Sequence, residues 1–344
     1  MIRRLVSVFT LVGLAGLLAS AQQAGVVPVL AGVFPPGATV GREVEWSISG
    51  RNLTKVDRLR VSGGGVEVVD LAIKDEANAK VKVRVAADAA LGFREVRLDG
   101  PSGLSNLAMI RVDRLEQILE VEPNDEAAKA QVVAVGSAVV GVLKPLDLDH
   151  FRVEGKPGQR FTVDLEARRV GTSIAPVVTF FSTSGVAIAQ GRSLPGGDGD
   201  CRMSAILPPD GALMVQIRDN VYGGNDLARY RLRVDPAPFA TGLFPLGGRA
   251  GETVEVELSG GNLASPLRKA ITLPESSGAF VTVGEFLGPD GPVASPARLI
   301  VGDGPEIAEP NRKSDRDAVE VASGVTVNGR IGKPGEVDAY IVRV

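Results

Sequence analysis

Residues 34–53 read Phe34-Pro35-Pro36-Gly37-Ala38-Thr39-Val40-Gly41-Arg42-Glu43-Val44-Glu45-Trp46-Ser47-Ile48-Ser49-Gly50-Arg51-Asn52-Leu53. Much of this stretch returns as Phe244-Pro245-Leu246-Gly247, Gly251, Val254-Glu255 and Ser259-Gly260-Gly261-Asn262-Leu263, at a constant offset of 210 (244 minus 34). An internal repeat of this kind sets the architecture before any single motif is weighed. Within the stretch, Val44-Glu45-Trp46-Ser47-Ile48 alternates apolar and polar side chains, the period of a half-buried strand. Val81-Lys82-Val83-Arg84-Val85 does the same, and Val96-Arg97-Leu98 and Met109-Ile110-Arg111-Val112 continue the pattern. Short strands separated by glycine-rich turns predict an all-β chain of small sandwiches.

A second repeat follows the first. The acidic turn Glu122-Pro123-Asn124 recurs as Glu309-Pro310-Asn311 at an offset of 187, so the second copy of the opening module is shorter by 23 residues (210 minus 187). Beyond the turn, Gly141, Pro145, Asp147, Asp149, Phe151 and Val153 correspond to Gly329, Pro334, Glu336, Asp338, Tyr340 and Val342. The order is A, B, A, B: residues 28–113, 117–235, 238–302 and 305–344. The last of these has about a third of the strands a sandwich needs, which marks the chain as a fragment at its carboxyl end.

The amino terminus reads as an export signal, with Arg3 and Arg4, an apolar run from Leu5 to Leu18, and Ala19-Ser20-Ala21 as a cleavage site over residues 1–21. The predicted location is secreted, periplasmic or at the cell surface, with no transmembrane anchor in the mature chain. Removing two arginines from 38 basic residues leaves 36 against 41 acidic ones, a net charge of about −5, which argues against nucleic acid as a partner. The lone Cys201 cannot form an internal disulfide and is expected to be buried as a small hydrophobe.

Module A, with its Gly37/Gly41 turn, Ser49-Gly50-x-Asn52-Leu53 strand exit and Ser105-Asn106 run, resembles the IPT/TIG-type Ig-like fold. Module B carries Asp147-Leu148-Asp149-His150-Phe151-Arg152-Val153, then Pro157-Gly158-Gln159-Arg160-Phe161-Thr162-Val163, Asp210-Gly211-Ala212-Leu213-Met214-Val215 and Tyr230-Arg231-Leu232-Arg233-Val234. It resembles the bacterial pre-peptidase C-terminal (PPC) domain, a β-sandwich found beside secreted peptidases and in long repeat proteins. Where that family often has an aromatic pair after the Asp-Gly turn, this chain has Leu213-Met214. With only 15 aromatic residues (11 Phe, 3 Tyr, 1 Trp), it has few to spare for a collagen-gripping face.

One constellation points to chemistry. In an extended segment residues two apart share a face, so Glu120, Glu122 and Asn124 point together, and Asp125 follows at the turn. Asp147 and Asp149 would join them from the next strand. Such an all-oxygen set suits calcium, which takes about six to eight oxygen ligands, and the PPC resemblance implies calcium at Glu120, Glu122, Asn124, Asp125 and Asp147 or Asp149. The competing account has Asn124 or Asp125 simply capping a short helix through Glu126–Ala130. In the second copy Ile307 stands in place of Glu120 and Arg312 in place of Asp125, so a full site there is not expected. His150, whose counterpart is Ala339, reads as an outward-facing strand residue rather than a catalytic base. The loop Pro195-Gly196-Gly197-Asp198-Gly199-Asp200 reads as a hairpin turn.

No zinc motif, nucleophile elbow, P-loop or dinucleotide fingerprint appears. The chain is therefore expected to be a non-catalytic modular protein with a scaffold or binding role at or outside the cell surface, its partner an extracellular protein or polysaccharide. The alternative is the accessory region of a secreted peptidase or hydrolase whose catalytic domain is absent from this chain.

Overall fold

A computed structural model of the 344-residue chain describes residues 26–193, 199–288, 291–309 and 318–343. The export signal (1–21), most of the 195–200 loop and Pro310, Asn311 and Arg312 lie outside the described residues. The described residues are all β, and three short 3-10 turns are the only helical segments among them. Strands β1 (Val29–Phe34), β2 (Gly37–Thr39), β3 (Glu43–Arg51), β4 (Arg58–Val61), β5 (Val66–Ile73), β6 (Asn78–Val85), β7 (Gly92–Asp99) and β8 (Ala108–Asp113) build the first sandwich. Its sheets run β1-β3-β6-β5 and β2-β8-β7-β4. The alternation predicted for β3 and β6 holds: Trp46, Ile48, Val81, Val83 and Val85 meet in one core with Ile110 and Val112, while the intervening Glu and Lys face water.

Strands β9 (Glu116–Leu119), β10 (Gln131–Ala134), β11 (Ser137–Val142), β12 (Asp149–Glu154), β13 (Arg160–Glu166), β14 (Pro176–Phe181), β15 (Ala187–Arg192), β16 (Cys201–Ile206), β17 (Ala212–Asp219) and β18 (Arg229–Asp235) form the second sandwich. Its sheets run β10-β12-β17-β14-β15 and β16-β13-β18-β11-β9. Phe151, Phe161, Phe180, Val215, Tyr230 and Leu232 fill the space between them. Cys201 sits in that core, fully buried, as the composition suggested.

The third sandwich has β19 (Gly242–Phe244), β20 (Gly247–Arg249), β21 (Thr253–Ser259), β22 (Leu267–Thr272), β23 (Phe280–Gly288) and β24 (Gly291–Gly302), in two three-stranded sheets. Its pairings repeat those of β1, β2, β3, β6, β7 and β8. Between β3 and β6 the first copy has 26 residues (52–77), whereas between β21 and β22 the second has seven (260–266). Most of the 23-residue shortening therefore removes β4 and β5, the outer strand of each sheet. That turns β22 into an edge, and at the register position of the buried Val81 it carries Lys269. A charge on the inward register of an edge strand discourages another strand from adding there.

Strands β25 (Glu306–Ala308), β26 (Val319–Ala322), β27 (Thr326–Asn328) and β28 (Tyr340–Arg343) complete the described chain. They pair parallel as β25-β27 and β26-β28, just as β9-β11 and β10-β12 do.

The first two sandwiches meet through an ionic lattice. Alternation points Asp164 and Glu166 of β13 and Arg231 and Arg233 of β18 away from their own core, yet Glu166 and Arg231 are fully buried. Arg231 bridges Glu166 (3.1 Å) and Asp113 of β8 (2.7 Å), and Arg111 of β8 reaches Glu166 at 3.4 Å. The Phe93 ring of β7 lies between the guanidinium groups of Arg111 and Arg169, at 5.1 and 5.4 Å, distances at which the ring face attracts a cation. Arg229 donates to Ser49 of β3 across the same seam.

Candidate metal centre

The connection from β9 to β10 of the second sandwich folds over the start of β12 and closes an acidic site. The Glu120 backbone N–H donates to the Val140 carbonyl (3.0 Å), extending the β9-β11 ladder by one residue. Its carboxylate accepts from the Val142 N–H (3.1 Å) and from the Tyr230 hydroxyl. Gly141 stands under this contact, and any Cβ there would overlap both Glu120 Oε2 and the Tyr230 oxygen. After the cis Glu122-Pro123 peptide, the Asn124 N–H donates to Glu122 Oε2 (2.9 Å) and its side-chain amide donates to Glu120 Oε1 (3.3 Å). Glu120, Glu122 and Asn124 thus converge as the two-residue period predicts.

Asp147 and Asp149 arrive from the other side. The Asp147 carboxylate accepts from the Lys144 N–H (2.9 Å), and Asp125 Oδ1 from the Leu148 N–H (3.4 Å). The outcome is two carboxylate triads that share Glu122: Glu120, Glu122 and Asp149, then Glu122, Asp125 and Asp147. Within each, ligand oxygens lie within 4.8 Å of one another. A cavity of about 860 Å³ opens onto Glu120, Glu122, Asp125 and Asp147, walled by Phe34 of the first sandwich and by Leu119, Val142, Leu146 and Leu148, with Asp149 buried behind them.

The acids here crowd together with little compensating positive charge. Asp149 is fully buried, both of its oxygens lack a hydrogen-bond donor, and the buried Asn124 Oδ1 lacks one too. The nearby Tyr230 hydroxyl is already committed to Glu120. Burial first, then Glu120 and Asp147, push the Asp149 carboxyl far above the carboxylate range. Burial, with Asp125 and Glu122 nearby, pushes Asp147 up to about 6. Burial also raises Glu122, helped by Glu120 and Asp125. Burying acids against one another without a counter-charge is unfavourable, and orphaned oxygens on one spot fit a hard, oxygen-seeking cation. Residues contributing only oxygen favour calcium over softer metals.

The capping account does not hold. The one helical turn here, Ala127–Lys129, begins at Glu126, and neither Asn124 nor Asp125 makes a side-chain cap bond to it. His150 faces outward from its sheet as expected, and it is buried all the same. Its Nδ1 lies 3.2 Å from the Asn124 carbonyl, and its Nε2 lies 2.9 Å from the Gln216 amide. The register places it on the outer face of β12, and the linker loop lies across that face. Nothing in the sequence near residue 150 signals this cover.

The second copy is corrected as well. Glu309 donates its N–H to the Asn328 carbonyl (2.7 Å) and accepts from the Arg330 N–H (3.1 Å), the same two bonds that Glu120 makes to Val140 and Val142. Glu309 therefore occupies the place of Glu120, not of Glu122, and Ile307 pairs with Val327 where Ile118 pairs with Val139. The matching Glu-Pro-Asn letters are two residues out of spatial register. Glu336 accepts from the Lys333 N–H (3.0 Å) as Asp147 does from Lys144, but among the described residues the acids of this copy form no such triad. At the end of the 195–200 loop, Asp200 is buried and accepts from the N–H groups of Ala167 and Arg168 and from Arg169 Nε, so it caps the 3-10 turn Arg168–Val170.

No family model matches the chain, and no curated protein matches it. Among solved structures it is similar to the pre-peptidase C-terminal domain of a collagenase from Bacillus anthracis, at 14% identity over 33% of this chain and 99% of that one, with a TM-score of 0.26. It is also similar to the titin Ig tandem domains (11% identity, 72% and 95% covered, TM-score 0.19). A third likeness is to a Bacteroides ovatus mixed-linkage glucan utilization protein in complex with a mixed-linkage heptasaccharide (9% identity, 54% and 72% covered, TM-score 0.22). At these TM-scores the likenesses carry no argument about function. Among the described residues, no helix is long and apolar enough to cross a membrane.

Proposed function

We propose that this chain is an exported, non-catalytic array of Ig-like sandwiches (28–113 and 238–302) and PPC-like sandwiches (117–235 and, in part, 305–344). Its role is binding or scaffolding outside the cell, toward a protein or polysaccharide, and the first PPC-like module holds calcium at its junction with the module before it. Glu120, Glu122, Asn124 and Asp149 surround one cation position, and Glu122, Asp125 and Asp147 an adjacent one. The observation that carries the calcium reading is Asp149: a fully buried carboxylate, pressed against other acids, with no donor to either oxygen. Calcium would supply the missing positive charge and tie the β9–β10 connection to β12 within the second sandwich.

The test is isothermal titration of calcium into the EGTA-treated chain, paired with melting curves. Calcium at about 100 times its Kd should stabilise by about 2.7 kcal/mol, and magnesium should bind more weakly because it demands tight octahedral geometry. No heat and no rise in Tm at millimolar calcium would sink the proposal.

A further inference from the structure

We infer that His150 is a positioning residue for this site: its ring holds the Asn124 carbonyl, and through it sets the arc of ligands from Glu122 to Asp125. The inference rests on the calcium reading above. His150 is the only histidine of the chain, and its ring lies buried between two partners on different elements. A carbonyl oxygen can only accept, so the contact of 3.2 Å to the Asn124 oxygen places the proton on Nδ1. Nε2 is then the acceptor, and the Gln216 amide, 2.9 Å away on β17, donates to it. One neutral tautomer satisfies both contacts.

Gln216 stands directly opposite His150 in the β12-β17 register, so the sheet fixes the amide, the amide fixes the ring, and the ring fixes residue 124. The His150 backbone N–H donates to the same Asn124 carbonyl at 3.1 Å, which makes that oxygen the anchor of the loop. The anchored residue is the hub of the site. Its N–H binds Glu122, its Nδ2 binds Glu120, and its buried Oδ1 is left without a donor. Without the ring that carbonyl is held by the backbone N–H alone, which loosens residue 124, its two contacts and its Oδ1 together. The ring itself ligates nothing, because both nitrogens are engaged. Partners that orient ligands in this way are typically worth about 10- to 100-fold in metal affinity.

The test compares His150→Leu with His150→Asn in the full chain. The Asn amide nitrogen can stand where Nδ1 stands and keep the donor, whereas Leu has a similar size and none. His150→Leu should weaken calcium binding by about 10- to 100-fold and speed amide hydrogen exchange across residues 121–126 in EGTA, with His150→Asn close to wild type in both. Gln216→Leu acts through the ring, so it should shift both readouts in the same direction, and combining it with His150→Leu should add nothing. Wild-type affinity or unchanged exchange at 121–126 in His150→Leu would overturn the inference while leaving the calcium reading intact. Equal damage from Leu and Asn would also overturn it. If the wild-type chain takes up no calcium, the calcium reading fails, and the exchange data alone decide whether His150 positions the loop.

Discussion

Replacing Asp149 by Asn separates the two demands placed on that side chain. In the cation-free protein, burial and the neighbouring acids keep Asp149 protonated at neutral pH, while the unfolded chain releases that proton near pH 3.8. Across this window the native state holds a proton that the unfolded state has lost, so stability falls as pH rises, by about 1.4 kcal/mol per pH unit. Between pH 5 and pH 7 the loss is about 3 kcal/mol. Asparagine has no proton to hold and escapes it. In EGTA, Asp149→Asn should be more stable than wild type at pH 7, by up to about 4 kcal/mol, with the advantage shrinking by about 3 kcal/mol at pH 5. Calcium should invert the order, because the loaded wild-type site needs the ionised carboxylate and the amide cannot supply that charge. Urea unfolding followed by circular dichroism at the two pH values, with and without calcium, measures all four terms. A pH-independent difference between the two proteins in EGTA, or full calcium stabilisation of the variant, would refute the reasoning.

Other outcomes follow from the same geometry. Arg231→Met removes the fully buried one of three guanidinium groups that Asp113 and Glu166 share, Arg111 and Arg233 being the others, and should lower stability by about 3 kcal/mol, the low end for a broken buried pair, in the same unfolding assay. Gly141→Ala forces a methyl into the Glu120–Tyr230 contact. It should cost about 1–3 kcal/mol and weaken calcium binding, as read by titration. The Cys201 thiol, buried and pushed up to about 12 chiefly by that burial, should react with a thiol reagent only as fast as the module opens, so its labelling rate should rise with urea in step with unfolding.

Much of this architecture is legible in the sequence because a strand's period is two. Trp46, Ile48, Val81 and Val83 announce the first core, and Glu120, Glu122 and Asn124 announce a shared face, by spacing alone. What spacing conveys is which side of a strand a residue takes, not what lies over that side. His150, Glu166 and Arg231 all take outer positions in their strands, and all are buried because another segment packs on them: the linker loop over His150, and the first sandwich over Glu166 and Arg231. Their cover comes from residues 26, 55 and 118 positions away in the chain, as the contacts of His150 to Asn124, Glu166 to Arg111 and Arg231 to Asp113 show. The Glu309 correspondence failed for a related reason. Identical letters, Glu-Pro-Asn, fixed the alignment, whereas the ladder bonds to Asn328 and Arg330 fix the position in space. The shortening of the second Ig-like module could be counted in the sequence, but which strands it removed became visible only in the pairing of β21 with β22.

The central claim is that the acids at the first junction exist to hold calcium, and anomalous diffraction from crystals grown with calcium tests it most directly. The account predicts an anomalous peak bounded by Glu120, Glu122, Asn124 and Asp149, with Asp149 oxygens within about 2.3–2.6 Å of the ion, and allows a second beside Asp125 and Asp147. A well-ordered site with no peak at saturating calcium, its acids paired through shared protons, would contradict it.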